Sequence, residues 1–392
     1  MRSDRWTLRR FQLHQRWRCR LYAVRRGAEY NPTRLTLARK RRGLSISALA
    51  ERVGLSRRSI FNYERGRSVP GDHTLATIAQ TLGFPITFFF GNDIEELSPD
   101  AVSFRAMSKM TAAQRDMALA EGALALLIDS WIDERFELPP VDLPDLSHET
   151  DPETAAIALR RYWGCGEWPI RNMVHLLESK GVRVFSLSVQ SREVDAFSMW
   201  KDSTPYVFLN TQKSAERSRF DAAHELGHLV LHQHAIGRGR SLEQEANAFA
   251  SAFLMPRASV LAYARRTYTV ATLIQLKKIW GVSVTALAHR LHALGLLSDW
   301  QYRRLWMDIA AKRYNVKEPD PAPRETSQVF EKVFRALGEE GITKAHVAAD
   351  LGIPEEELDQ LVFGLVFTQV GGMARVIDSG TRSNKHHLRV VK

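Results

Sequence analysis

Along most of this 392-residue chain, apolar residues recur every three to four positions, the spacing of a helix with one buried face. Between residues 32 and 91 that spacing predicts a bundle of five short helices. Ser45 can cap one that turns Leu49, Ala50 and Val53 inward, Gly54 permits a tight turn, and Ser56 can cap the next, whose Ile60 and Tyr63 face the core. After a linker at 91–99, a longer helix is expected over 111–136, striped by Leu119, Leu124, Leu127 and Ile128. It cannot continue through Pro139, Pro140 and Pro144. Helices at 152–163 and 170–180 give way to three candidate strands, 182–187, 196–200 and 206–209, before helices resume as far as residue 312. A proline-bearing linker at 320–324 leads to a last helical region. The fold class expected is mainly α with a small α+β domain.

Two stretches share one pattern. GLSISALAERVGLSRRSIFNYERG at 43–66 and GITKAHVAADLGIPEEELDQLVFG at 341–364 match in glycine and apolar positions at a constant offset of 298 residues. Both read as helix-turn-helix units. In the first, Ser56, Arg57, Arg58, Ser59 and Asn62 are free to meet double-stranded DNA in the major groove, and Arg39, Arg41 and Arg42 of the preceding helix are expected to add phosphate contacts. In the second, Glu355 and Glu356 replace Arg57 and Arg58, next to Glu357, so phosphate is repelled and a packing or protein-docking role is expected.

Charge supports this division. The net charge is +11, with +7 in residues 1–30, +8 in residues 31–67 and −4 in the remainder, the footprint of a nucleic-acid partner at one end. Residues 1–30 have no periodicity and read as an arginine-rich extension from a start codon placed too early. No function is assigned to them. Two cysteines, Cys19 and Cys165, cannot build a disulfide framework, and neither a signal peptide nor an apolar run of membrane-spanning length is visible. A cytoplasmic location without membrane contact is expected.

The chemistry concentrates between residues 220 and 256. His224 and His228 lie four residues apart, on one face of a helix, so both imidazoles can reach a single metal ion. Glu225 sits beside that ion, placed to take a proton from water. A third ligand is needed, and Glu243 and Glu245 are the candidates; Glu243 is preferred because Asn247 falls at i+4 and can support the site. His232 is two turns from His224, too far to share the ion, and reads as a packing or supporting histidine.

AHELGHLVLH followed by EQEANAFASAFLMP resembles the ImmA/IrrE family of metallopeptidases. The resemblance implies zinc held by His224, His228 and Glu243, with Glu225 as general base. SFRAMSKMTAAQR, PIRNMVHLLESKGVRVF and the basic amino-terminal domain resemble the subgroup that fuses a Cro/repressor-type (XRE-family) domain to this peptidase, over about residues 31–364. One departure is Ile46, where such DNA-binding domains often carry glutamine.

The organisation expected is therefore a helix-turn-helix domain (31–97), a helical connector (98–138), a zincin-like metallopeptidase domain (139–315), a helical unit (326–366) and a flexible tail (367–392). Residues 206–210 are expected to form the edge strand that holds extended substrate, and Tyr206 and His232 are the candidates for stabilising an oxyanion. The function expected is a transcriptional regulator, a homodimer on its operator, whose zinc domain cleaves a protein such as a repressor. The alternative is a zinc domain that senses a metal, peptide or metabolite without proteolysis.

Overall fold

The computed structural model describes residues 29–95, 97, 103–104, 111–187, 196–234, 239–364, 367–370 and 373–376, with backbone alone at 103–104, 367–370 and 373–376. The expectation for residues 1–28 lies outside the described residues. The fold is mainly α with a small α+β domain.

The amino-terminal bundle comprises α1 (Pro32–Arg41), α2 (Ile46–Arg52), α3 (Arg57–Glu64) and α4 (Asp72–Leu82). Where a fifth α-helix was expected, the three successive phenylalanines close the bundle as a 3-10 segment, Ile86–Phe90. The caps follow from residue chemistry: Ser45 Oγ accepts from the Ala48 amide at 3.1 Å and Ser56 Oγ from the Ser59 amide at 3.0 Å. Gly54, at φ +68°, makes the turn between α2 and α3 in a conformation costly for other residues. Ile46 packs, half-buried, against the core of this bundle.

A four-stranded sheet divides the rest. Its strands are β1 (Ser103–Phe104), β2 (Arg183–Leu187), β3 (Ala196–Lys201) and β4 (Thr204–Asn210), in the order β1-β3-β4-β2. The β3–β4 pair is antiparallel and the β2–β4 pair parallel. Because successive side chains of a strand point to opposite faces, Val184, Ala196, Val207 and Leu209 enter one core, and Phe185, Phe197, Met199, Tyr206 and Phe208 enter another. Each buried phenylalanine contributes about 2–3 kcal/mol of apolar transfer. Residues 206–210 are therefore not an edge: β4 is paired on both sides, by β3 and β2, and the outer strands of the sheet are β1 and β2.

On the first face lie α6 (Pro152–Tyr162), α7 (Met173–Ser179), α8 (Ala215–Leu231), α9 (Arg240–Leu254), α10 (Arg257–Ala262), α11 (Val270–Trp280), α12 (Val284–Ala293) and α13 (Asp299–Ala311). The second face packs on α5 (Ala112–Asp133), α14 (Gln328–Glu339), α15 (Lys344–Leu351) and α16 (Glu355–Leu361), and that core runs without a break into the amino-terminal bundle. Glu178 of α7 fastens α14 by accepting the Gln328 and Val329 amides at 2.9 and 3.2 Å, along with the Ser327 hydroxyl. A carboxylate at a helix amino terminus satisfies donors that have no partner within the helix. Part of the expected tail is not plain chain, since β5 (Phe367–Val370) and β6 (Met373–Val376) pair antiparallel; residues 371–372 and 377–392 lie outside the described residues.

Candidate metal centre and DNA-facing helix

Helix α8 starts at Ser214, whose Oγ accepts the Arg217 amide at 3.2 Å, and is buried from Asp221 to its end at Leu231. It runs across β3 and β4, which leaves His224 fully buried and His228 7% exposed. Gly227 has a separate role: a Cβ there would meet Phe249 Cδ1 at 3.1 Å and the Ala246 Cα at 3.3 Å. Its missing side chain lets α9 lie close against α8, which brings Glu243 of the first turn of α9 over the two histidines.

Three donors converge. His224 Nε2 and His228 Nε2 are 3.1 Å apart, and Glu243 offers Oε2 at 3.4 Å to the first and Oε1 at 3.3 Å to the second. One ligand atom from each residue lies within 4.8 Å of the others. Burial alone would raise the pKa of Glu243, but the adjoining imidazoles of His224 and His228 outweigh it and hold the carboxyl well below its usual range. Glu245 does not enter the cluster.

Hydrogen bonds on the far side of each ring choose the tautomer. Asn247 Oδ1 lies 3.1 Å from His224 Nδ1, so that nitrogen carries the proton and Nε2 is the unprotonated one. Glu245 Oε2 lies 3.1 Å from His232 Nε2, which makes Nε2 the donor of that ring. His232 Nδ1, 2.9 Å from His228 Nδ1, then accepts, and His228 Nε2 is also left unprotonated. Burial lowers the pKa of His232, which favours this neutral state. Two imidazole lone pairs and an ionised carboxylate facing one point attract a cation and form the donor set of a divalent metal.

Glu225 is 1% exposed. Its Oε2 accepts from Ser198 Oγ of β3 at 2.7 Å, while Oε1 has no hydrogen-bond partner among the described residues. Burial pushes its pKa up to about 7, against the opposing pull of His228 and the Ser198 hydrogen bond. A group poised near neutrality can both take and return a proton. Tyr206 plays no part here: it belongs to the opposite face of the sheet, where its hydroxyl donates to Asp129 Oδ2 at 2.7 Å.

In the amino-terminal bundle, Ser56, Arg57 and Arg58 are exposed on α3, with Ser59 and Asn62 half-exposed beside them. The expectation for Arg39, Arg41 and Arg42 fails, because all three turn inward. Arg39 chelates Glu64 at 2.5 and 3.0 Å; Arg41, wholly buried, binds Glu357 Oε2 at 2.8 Å; and Arg42 binds Glu357 Oε1 at 2.5 Å. Exposed Arg65 and Arg67, stacked over Phe61 at 5.7 and 5.4 Å, flank α3 instead. The RGR that follows the helix was their only sequence signal.

Residues 35–89 match the family model for a helix-turn-helix, and residues 177–292 match that for an IrrE N-terminal-like domain of the M78 peptidases. The chain fuses an XRE-type helix-turn-helix domain to an IrrE-like domain. No curated protein matches the chain. The IrrE-like match contains all of α8 and α9, hence the whole donor cluster, together with Ser198. The helix-turn-helix match contains α3 and makes this a DNA-binding protein. Sequence reasoning missed Ser198 and Gly227. Nothing in a strand read as AFSMW marks the serine that will meet the glutamate, and the glycine within HELGH passes for an unspecified position.

Proposed function

We propose that this chain is a cytoplasmic transcriptional regulator that binds its operator as a homodimer and carries a zinc-dependent peptidase, whose substrate is a protein such as a repressor. The observation that carries the reading is the buried Glu225 Oε1, unpartnered among the described residues, beside three converging donors. A purely structural metal site needs no base next to it.

His224, His228 and Glu243 would hold the zinc. When bound, zinc supplies Lewis acidity toward a peptide carbonyl and an attacking water. Glu225 Oε1 takes the proton of that water and returns it to the departing amine, while Ser198 fixes Oε2 so that the other oxygen keeps its direction. Asn247, His232 and Glu245 keep the ligand nitrogens unprotonated.

The test compares protein amino-terminus profiles of host cells carrying the unaltered chain with those carrying Glu225→Gln. A terminus present only with the unaltered chain identifies a substrate. Identical profiles, with equal regulation of the same promoters, replace the peptidase by a metal- or ligand-sensing regulator.

A further inference from the structure

Strand β3 lies beside the metal cluster, and its side away from β4 is covered only by the two-residue strand β1. Helix α8 packs against this strand, Ser198 holds Glu225, and Trp200 Nε1 donates to the Leu229 carbonyl at 3.1 Å. A strand side beside a hydrolytic centre is where an extended peptide can add as a further strand, its main chain held by the ladder and one bond presented to the site. That side of β3 already carries an antiparallel occupant. Ser103 pairs with Ser198 and Phe104 with Phe197, so β1 lies directly alongside the residue that orients the base. A second contact places the same stretch of chain there: Glu95, just after the DNA-binding bundle, forms an ion pair with Lys201 at the end of β3.

We propose that this side of β3 is the peptide-accepting groove of the IrrE-like domain and that its resident ligand is the chain's own interdomain segment at Ser103–Phe104. This assignment rests on the peptidase reading for the purpose of the groove, though not for its occupancy. The segment joins the DNA-binding bundle to α5, so a substrate reaches the site only by displacing a piece of the tether between the two domains. The preferred partner is an extended, unstructured segment whose main chain can replace β1.

The test uses full-length protein carrying Glu225→Gln, so that nothing is cut, with a fluorescein-labelled synthetic peptide AVSFRAM (residues 101–107) as the probe. Ser103→Pro with Phe104→Pro removes two main-chain donors and disfavours β1. A tethered competitor acts at roughly millimolar effective concentration, so the peptide is expected to bind the double-proline chain at least ~10-fold more tightly than the unaltered one. Peptide binding should also slow amide exchange over residues 196–201. Equal affinity for both chains, or binding to neither, overturns the proposal. A measurement on the chain with native residues at 103 and 104 guards against misfolding of the double variant: amides of Ser103 and Phe104 that exchange as fast as those of an unstructured peptide also overturn it. None of these readouts needs catalysis. Loss of the peptidase reading with an occupied β3 is thus distinguishable from cleavage with an empty one.

Discussion

The units at 43–66 and 341–364 have nearly the same backbone and opposite fates. In each, a hydroxyl caps the first helix, Ser45 on the Ala48 amide and Thr343 on the His346 amide, and a glycine of matching conformation makes the turn, Gly54 at φ +68° and Gly352 at +69°. Each buries the same positions, Leu49 and Val347, Ala50 and Ala348, Ile60 and Leu358. The difference lies in three side chains at the start of the second helix. Arg57 and Arg58 of α3 stand in solvent, whereas Glu357 of α16, at the position of Ser59, is 2% exposed and binds Arg41 and Arg42 of the DNA-binding bundle. A shared backbone is thus used once to present charge outward and once to neutralise charge inside. Like folds do not imply like ligands.

The largest effect should come from the buried junction. Arg41, Glu121 and Glu357 are each 2% exposed or less and come from three separate segments, so Glu357→Ala takes from buried Arg41 its nearest carboxylate, 2.8 Å away, while Glu121 stands at 3.8 Å. A loss of about 3–5 kcal/mol in unfolding free energy is expected by denaturant titration. Glu355→Ala with Glu356→Ala should be nearly silent in the same assay, since both residues are exposed. A large loss from that pair would mean that the acidic start of α16 is packed as tightly as Glu357.

The attachment of the second unit should also respond to pH. Burial pushes the carboxyl of Glu178, which caps α14, up to about 7 from an ordinary 4.5, despite its hydrogen bonds. A folded-state pKa above the unfolded one means that the native state binds the proton more tightly between those values. Stability therefore falls as pH rises from about 4.5 to 7, by about 3 kcal/mol at most from this group. Glu178→Gln should remove that slope; an unchanged slope would place the titration elsewhere.

On the DNA side, Arg57→Ala or Arg58→Ala should cost about 1–3 kcal/mol of operator affinity where the arginine meets a base, or lower the salt slope by about one where it meets a phosphate. Glu355→Arg with Glu356→Arg should not create a second DNA site, because α16 is fixed to the bundle by its neighbour Glu357. A modest effect is expected from Gly227→Ala, whose added methyl pushes α9 away by a few tenths of an ångström. Zinc affinity measured against a chromogenic chelator should fall about tenfold, the order of effect seen when support of a ligand is disturbed. Unchanged affinity would show that α9 can adjust without moving Glu243.

Much of this organisation was legible from the sequence because periodicity and capping are local. The two serines, the turn glycines and the alternation through β2, β3 and β4 each act within a few residues. His224, His228 and Glu225 were legible for the same reason, since one helical turn defines their geometry. What stayed hidden depends on distant partners. Arg41 and Arg57 are the same residue type in the same basic run, and only the arrival of Glu357, 316 residues away, decides that one is buried. Likewise Tyr206 reads as an edge residue until β2 pairs on its far side.

The most direct measurement is amide hydrogen exchange of the full chain with and without operator DNA. Protection is expected over residues 56–67, with no change across 344–361. Protection of 344–361 on DNA binding would mean that the acidic unit also meets the duplex, and would contradict the division of roles between the two units.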